Sequence, residues 1–317
     1  MRKNLFFVFL IFPFTIFATT SMTTFEFLRL PNGARPTALG GSFVGASDDP
    51  YSLFCNPAGL WNIKGKRIGT TFGNYVADIH LGCISYVYPL RHGILGIGTS
   101  YISFGKMEER DENNNLIGKF TPLGIVPTIG YGISLPRRWQ FRGYEFASVG
   151  EIPPSLGISM KIVYQTIGRY TGLGVAFDIG GIYYHRKELA VGAVIQNLGI
   201  ELKSFYEVKE ELPLTLKVGA VYHPQDHINL FVDISKPIET SLSFAGGIEW
   251  EVSPAFTVRS GYSTSKSELR ADTLPLDLFA PFSFGIGFKR DKFLVDLSIT
   301  PMVLLGWSSK ISLIWNL

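Results

Sequence analysis

The side chains of this chain that could do chemistry are few and poorly spaced for catalysis. His223 and His227 stand four residues apart, the spacing with which a helix offers two imidazoles to one zinc ion. Between them, however, Pro224-Gln225-Asp226 reads as a hairpin turn, so no metal site is expected. His80, His92 and His185 fall near expected strand ends, where a polar rim belongs. No Gly-x-Ser-x-Gly elbow, phosphate-binding loop or Cys-x-x-Cys pair occurs. Neither an enzyme nor a cofactor is expected. Cys55 and Cys83 are the only cysteines, which is no disulfide framework. They read as one bridge in an oxidising compartment or as two separate small hydrophobes, the commoner use of a free thiol. Asp48-Asp49 ahead of Pro50 could bind a cation, but capping or turn formation is the more usual role of such a pair.

The charges with a regular placement are Lys161, Asp178, Lys217, Asp233, Glu249, Arg259, Lys289, Asp296 and Lys310. Each sits on the polar side of a run that alternates apolar and polar residues. In 227–237, Ile228, Leu230, Val232 and Ile234 oppose Asn229 and Asp233. In 255–264, Phe256, Val258 and Tyr262 oppose Thr257, Arg259 and Gly261. Further on, Phe282, Phe284, Ile286 and Phe288 oppose Ser283, Gly285, Gly287 and Lys289. Successive side chains of a strand point to opposite faces, so every such run has a greasy side and a polar side.

A soluble sandwich alternates too, and three features argue against one. The runs are ten to fourteen residues long, as tilted membrane strands require, whereas ordinary strands average about five or six. Their apolar sides are bulky and aromatic, opposite Gly, Ser, Thr and charge. Short turns such as Arg91-His92 and Arg290-Asp291 alternate with longer loops, for example 108–119, 200–212 and 265–279. The composition agrees: 46% of the 317 residues are hydrophobic and 14% aromatic, with a mean hydropathy of +0.20. No stretch after the first segment reaches the length of a membrane helix. The net charge of +3 is small and scattered, so nucleic acid is not an expected partner.

The expected fold is therefore all-β: an outer-membrane barrel over 66–317, with about fourteen antiparallel strands, facing outer-membrane lipid. The charges on the polar strand sides would face the lumen, either as a selective conduit or as a packed internal network. The connection at 136–154 is long where parity calls for a short one, so a hidden strand or a periplasmic excursion is expected there. At the end of the chain, Ile311, Leu313, Trp315 and Leu317 share a face. Trp315 and Leu317 read as the signal that barrel-assembly machinery recognises.

Residues 1–20 have the form of a signal peptide: Arg2 and Lys3, an apolar run from Leu5 to Phe17, and small residues from Ala18 to Ser21. The segment 21–65 is different again, rich in Gly, Ala, Pro and Ser and without period two, which suits turns and short helices folded as a hatch. In it, Gly40 and Gly41 allow close approach to a wall. Asn56-Pro57-Ala58-Gly59-Leu60 reads as a rigid turn, with Pro57 fixing φ and Gly59 permitting a positive one. Control of the hatch would follow from that rigidity.

The stretch from Gly33 to Asp49, followed by Asn56-Pro57-Ala58-Gly59-Leu60, resembles the N-terminal signature of the PorV/PorQ family, relatives of the FadL fatty-acid channels. Gln196-Asn197-Leu198-Gly199, 212–219, Val232-Asp233 and Gly247-Ile248-Glu249 are similar to that family in the same order. The resemblance implies a fourteen-stranded barrel with an inward-folded hatch. It implies either of two roles: docking or shuttling of exported proteins with type IX-like secretion components, or passage of a hydrophobic ligand as in FadL channels. A soluble secreted β-protein is the third reading.

Overall fold

The computed structural model describes residues 23–136, 138–141, 144–147, 152–205, 210–269, 279–302 and 305–317. The expected signal peptide at 1–20 lies outside them.

In chain order the strands are β1 (Arg67–Asn74), β2 (His80–Leu90), β3 (Gly93–Ser103), β4 (Met107–Arg110), β5 (Leu116–Phe120) and β6 (Leu123–Ser134). There follow β7 (Arg138–Phe141), β8 (Tyr144–Ala147), β9 (Ser155–Ile167), β10 (Tyr170–Arg186), β11 (Leu189–Lys203) and β12 (Thr215–Gln225). The last are β13 (Ile228–Pro237), β14 (Ser243–Ser253), β15 (Phe256–Ser263), β16 (Phe282–Arg290), β17 (Phe293–Pro301) and β18 (Trp307–Asn316). Fourteen of them pair antiparallel in the closed order β1-β18-β17-β16-β15-β14-β13-β12-β11-β10-β9-β6-β3-β2. Closure leaves no wall strand with an unpaired edge, the condition for β-structure inside hydrocarbon.

The two pairs outside the ring are side hairpins. β4 and β5 decorate the long loop between β3 and β6, and β7 and β8 pair with each other between β6 and β9. Among the described residues of 136–154, β7 and β8 pair with each other and no strand joins the wall, and the parity of the barrel is kept. Turns at one end of the cylinder are tight, as at Arg91-His92, Lys187-Glu188 and Asp291-Lys292. At the opposite end lie most of the long loops; Gly168-Arg169 is a tight exception, with Gly168 in the left-handed region at φ 59°.

Burial along the strands is that of a water-soluble protein turned inside out. In β9, Leu156, Ile158, Met160, Ile162 and Tyr164 are 39–47% exposed, while Ser159, Lys161 and Gln165 between them are buried. In β18, Trp307, Ile311, Leu313 and Trp315 point outward and Ser308, Lys310 and Ser312 inward. Such a surface is stable only against hydrocarbon, which excludes the soluble sandwich. Among the described residues, no helix is long and apolar enough to cross a membrane.

What the strands do not bury, the N-terminal segment does. Its pieces are two 3-10 turns, Glu26–Arg29 and Pro57–Asn62, and two short helices, α1 (Ala34–Ala38) and α2 (Ser52–Cys55). They lie inside the cylinder and build its apolar core. Tyr51, Leu53, Phe54 and Leu60 pack with Cys83, Val87, Ile94 and Ile314 of the wall. Leu39, Phe43 and Ala58 pack with Ile182, Val221 and Phe231. The lumen is thus partly apolar, where the strand pattern alone leads one to expect a polar interior.

Candidate functional site: the plugged lumen

The plug fits because the wall facing it has been stripped of side chains. A Cβ added at Gly157 would stand 2.1 Å from the carbonyl carbon of Pro57, and one at Gly261 would stand 2.1 Å from the amide nitrogen of Gly40. Gly180 and Gly192 are likewise filled, by Asn56 and by Val44. The close approach expected of Gly40 is present, since its own added Cβ would meet Tyr262 backbone at 2.6 Å. Gly41 faces open space, and its φ of 92° is what requires glycine there.

The Asn56–Leu60 turn is rigid for reasons only partly foreseen. Asn56 Oδ1 accepts from the Ala58 amide at 3.2 Å, and Asn56 Nδ2 donates to the Val44 carbonyl at 3.0 Å, so one buried amide ties two plug segments together. Pro57 opens the 3-10 turn at its first position. Gly59 is not in the left-handed region. It is needed because a Cβ would lie 2.0 Å from the Ser47 carbonyl oxygen, a packing constraint that replaces the expected conformational one. Of the two roles expected for Asp48-Asp49, turn formation is present at Asp49. Both acids pair with Arg35, at 2.5 and 3.4 Å, and Asp49 also accepts from the Tyr51 amide at 2.9 Å.

Arg35 is the residue that sequence reasoning missed, and it is the centre of the best-connected cluster in the lumen. Its guanidinium binds Glu249 of β14 in a two-pronged fork, Nε to Oε2 at 2.8 Å and Nη2 to Oε1 at 2.9 Å. Glu249 also accepts from Arg259 Nε at 2.6 Å and from Asn229 Nδ2 at 2.9 Å, and Arg259 Nη1 reaches Asp296 at 2.6 Å. Phe43 lies under Arg35, 5.1 Å from guanidinium to ring centre. Four wall strands and α1 are cross-linked in this way near the tight-turn end of the barrel. Burial pushes the Asp49 carboxyl up to about 7, with Arg35 pulling it the other way. The signal that could have found Arg35 is that it is the one cation between Leu30 and Ile63, since a buried guanidinium demands acids.

The other expected lumen charges fall into separate places. Asp233 Oδ2 accepts from the Phe43 and Val44 amides at 2.8 and 3.1 Å, a wall carboxylate holding plug backbone. Lys161 and Asp178 pair at 2.6 Å across β9 and β10. Asp178 also accepts from the Asn197 amide at 2.8 Å, and Asn197 is the left-handed residue (φ 61°) of a β-bulge in β11. Its neighbour Gln196 donates to the Cys55 carbonyl at 2.8 Å, clamping the end of α2. Lys217 is half-buried and lines a cavity described below. Lys289 departs from expectation: its register is inward, but it is next to last in β16, beyond the plug, and is exposed at the rim. Trp315 and Leu317 lie on the outer face, Trp315 stacked 5.9 Å from Phe293. His223 bonds Asn229 and His227 is exposed, and among the described residues no cluster of metal ligands forms. Cys55 and Cys83 are free thiols, and burial pushes Cys55 up to about 12, out of the reactive range.

At the long-loop end the plug stops short of the mouth. Above it lies a cavity of about 630 Å³, floored by Thr37, Gly40, Gly41, Tyr51, Phe54 and Cys55. Its sides are the outer ends of β12 to β15, β17 and β18, rich in hydroxyls such as Thr215, Ser235, Ser243, Ser263, Thr300 and Ser308. Leu28, Leu30 and Pro31 add an apolar flank. That volume is within the range that holds small-molecule ligands.

The model of an uncharacterised protein family, UPF0164, matches residues 16–252. A UPF0164 protein of Treponema pallidum (strain Nichols) is 24% identical over 210 residues, 63% of this chain; the match spans about half (49%) of the relative's own length. Among solved structures, the P. putida toluene transporter TodX shares 12% identity with a TM-score of 0.60, covering 91% of this chain and 99% of that one. The Ralstonia pickettii toluene transporter TbuX gives 12% and 0.58 over 90% and 97%. A Pseudomonas aeruginosa FadL homologue gives 10% and 0.55 over 90% and 98%. At such identities the likeness is one of fold. Neither the family match nor the solved neighbours support the PorV/PorQ assignment.

Proposed function

The chain belongs to the UPF0164 family, and on that footing we propose that it is a passive, non-catalytic channel of the outer membrane for small hydrophobic molecules. The observation that carries this reading is the ligand-sized cavity at the long-loop mouth, closed beneath by a plug hydrogen-bonded to the wall. A structural scaffold has no need of such a space. Long loops face outward and short turns face the periplasm in outer-membrane barrels, so the cavity opens to the outside. Residues 1–20 serve export as a cleaved signal, and Trp315 and Leu317 present the terminal hydrophobes to the assembly machinery. The fold shared with proteins titled toluene transporters favours small hydrophobes over exported proteins as the cargo.

The test is uptake. Cells lacking the gene should take up a small hydrophobe such as toluene several-fold more slowly, and the restored gene should recover the rate. Unchanged uptake, together with co-purification of exported proteins under mild detergent, would transfer the assignment to the docking role. Fractionation adds a check on location: the chain should appear in the outer-membrane fraction and shift its gel migration on heating.

A further inference from the structure

Three lysines of the cavity at the mouth, Lys217, Lys266 and Lys310, make no salt bridge among the described residues. Five charged residues line it: Arg29, Lys217, Asp233, Lys266 and Lys310. Arg29 is paired with Glu26 and Glu239. Asp233 accepts from the plug amides through Oδ2 and is the acid whose field reaches Lys217, without a salt bridge between them. Lys310 is buried and donates to the Pro31 carbonyl and, at 3.0 Å, to Thr37 Oγ1, both uncharged. Lys266, on the turn between β15 and β16, donates to Ser283 Oγ at 2.6 Å. Among the described residues, no acid lies within ion-pair distance of Lys217, Lys266 or Lys310. Burial lowers the Lys266 ammonium to about 8, which still leaves it a cation at neutral pH.

A buried charge without a counter-charge is costly, and inside a membrane protein it marks a place where a partner arrives. We propose that Lys266 and Lys310, with Lys217 across the cavity, form an oxyanion-binding site, and that the solute of this channel carries a carboxylate or phosphate group. The proposal rests on the channel reading and names its substrate class. Thr300 and Ser308 already donate to Ser283 Oγ and the Asn74 carbonyl, while the Ser263–Ser265 hydroxyl pair on the same lining can turn one donor to an anion. The apolar flank on the plug side accommodates the rest of such a molecule.

The experiment is calorimetric binding to the purified full chain in non-ionic detergent, with 4-methylbenzoate, toluene and inorganic phosphate as probes. The carboxylate should bind about tenfold or more tightly than toluene, which has the same ring and methyl group but no charge. Lys266→Met should weaken 4-methylbenzoate by about tenfold and leave toluene unchanged. Lys310→Met should do the same, with heat-modifiable migration confirming that the barrel is intact despite the lost plug contacts. Competition by phosphate assigns the site to the bare oxyanion and lack of competition assigns it to an organic acid; either upholds the cationic site. Equal affinity for toluene and 4-methylbenzoate, no binding of either, or lysine variants without effect would overturn it. Proteoliposome flux separates this from the channel reading. Binding without passage of either aromatic sinks the channel and spares the site, whereas equal passage of both with a silent Lys266→Met does the reverse.

Discussion

The two ends of the lumen use charge in opposite ways. Near the tight-turn end, Arg35, Arg259, Glu249, Asp296, Asp48 and Asp49 pair with one another and weld the plug to the wall. Near the long-loop end, Lys217, Lys266 and Lys310 border a cavity and make no salt bridge among the described residues. Both sets look alike in sequence, as lysines, arginines and acids on the polar sides of strands. What separates them is whether the plug presents a countercharge at that height. One end is a seal and the other is a receptacle.

The sharpest way to break the comparison is to cut the seal. Glu249→Ala leaves two buried guanidinium groups short of their shared acceptor, and should destabilise the plugged state by about 3–5 kcal/mol, as loss of one buried ion-pair partner does. Unfolding in denaturant would read the loss, and a cycle with Arg35→Ala should show strong coupling. If the two single losses simply add, Arg35 and Glu249 are not acting as one fastening.

A smaller effect is expected from packing at the same interface. Gly261→Ala puts a methyl group against Gly40 backbone and should cost about 1–3 kcal/mol as overpacking. Gly246→Ala, whose added carbon meets nothing nearer than 3.6 Å, is the control and should be nearly silent in the same melt. Equal costs at the two positions would mean that the plug does not press on this wall.

How far these residues were legible depended on whether a local rule governed them. The two-faced register of β9, β17 or β18 follows from period two, so Lys161, Asp296 and Lys310 could be turned inward from sequence alone. The extra hairpin of β7 and β8 was visible only as a break in loop parity, because neither strand joins the ring. Arg35 obeys no period, and its partner Glu249 is 214 residues away. Gly59 was given a torsional role when its true neighbour, Ser47, is brought there by tertiary packing. Lys289 shows the limit of register: alternation says which way a side chain points, not whether anything lies there to cover it.

Acidity sharpens the comparison more gently. The Asp49 carboxyl is raised to about 7 in the folded chain by burial, against an ordinary value of 3.8. The folded state therefore holds this proton more tightly than the unfolded one, and stability should fall as pH rises from about 4 to about 7. Asp49→Asn should flatten that slope in pH-dependent melts, while Lys266→Met should leave it as it is. A slope of the opposite sign would place Asp49 among the ionised partners of Arg35 at every pH.

The account stands or falls on the plug closing the barrel from within. Single-channel recording in planar lipid bilayers measures this directly, comparing the full chain with a version lacking residues 23–62. The full chain should be nearly silent to ions and the shortened one should open in large, stable steps. If the full chain already conducts as freely as the shortened one, the seal built around Arg35 and Glu249 does not close the pore.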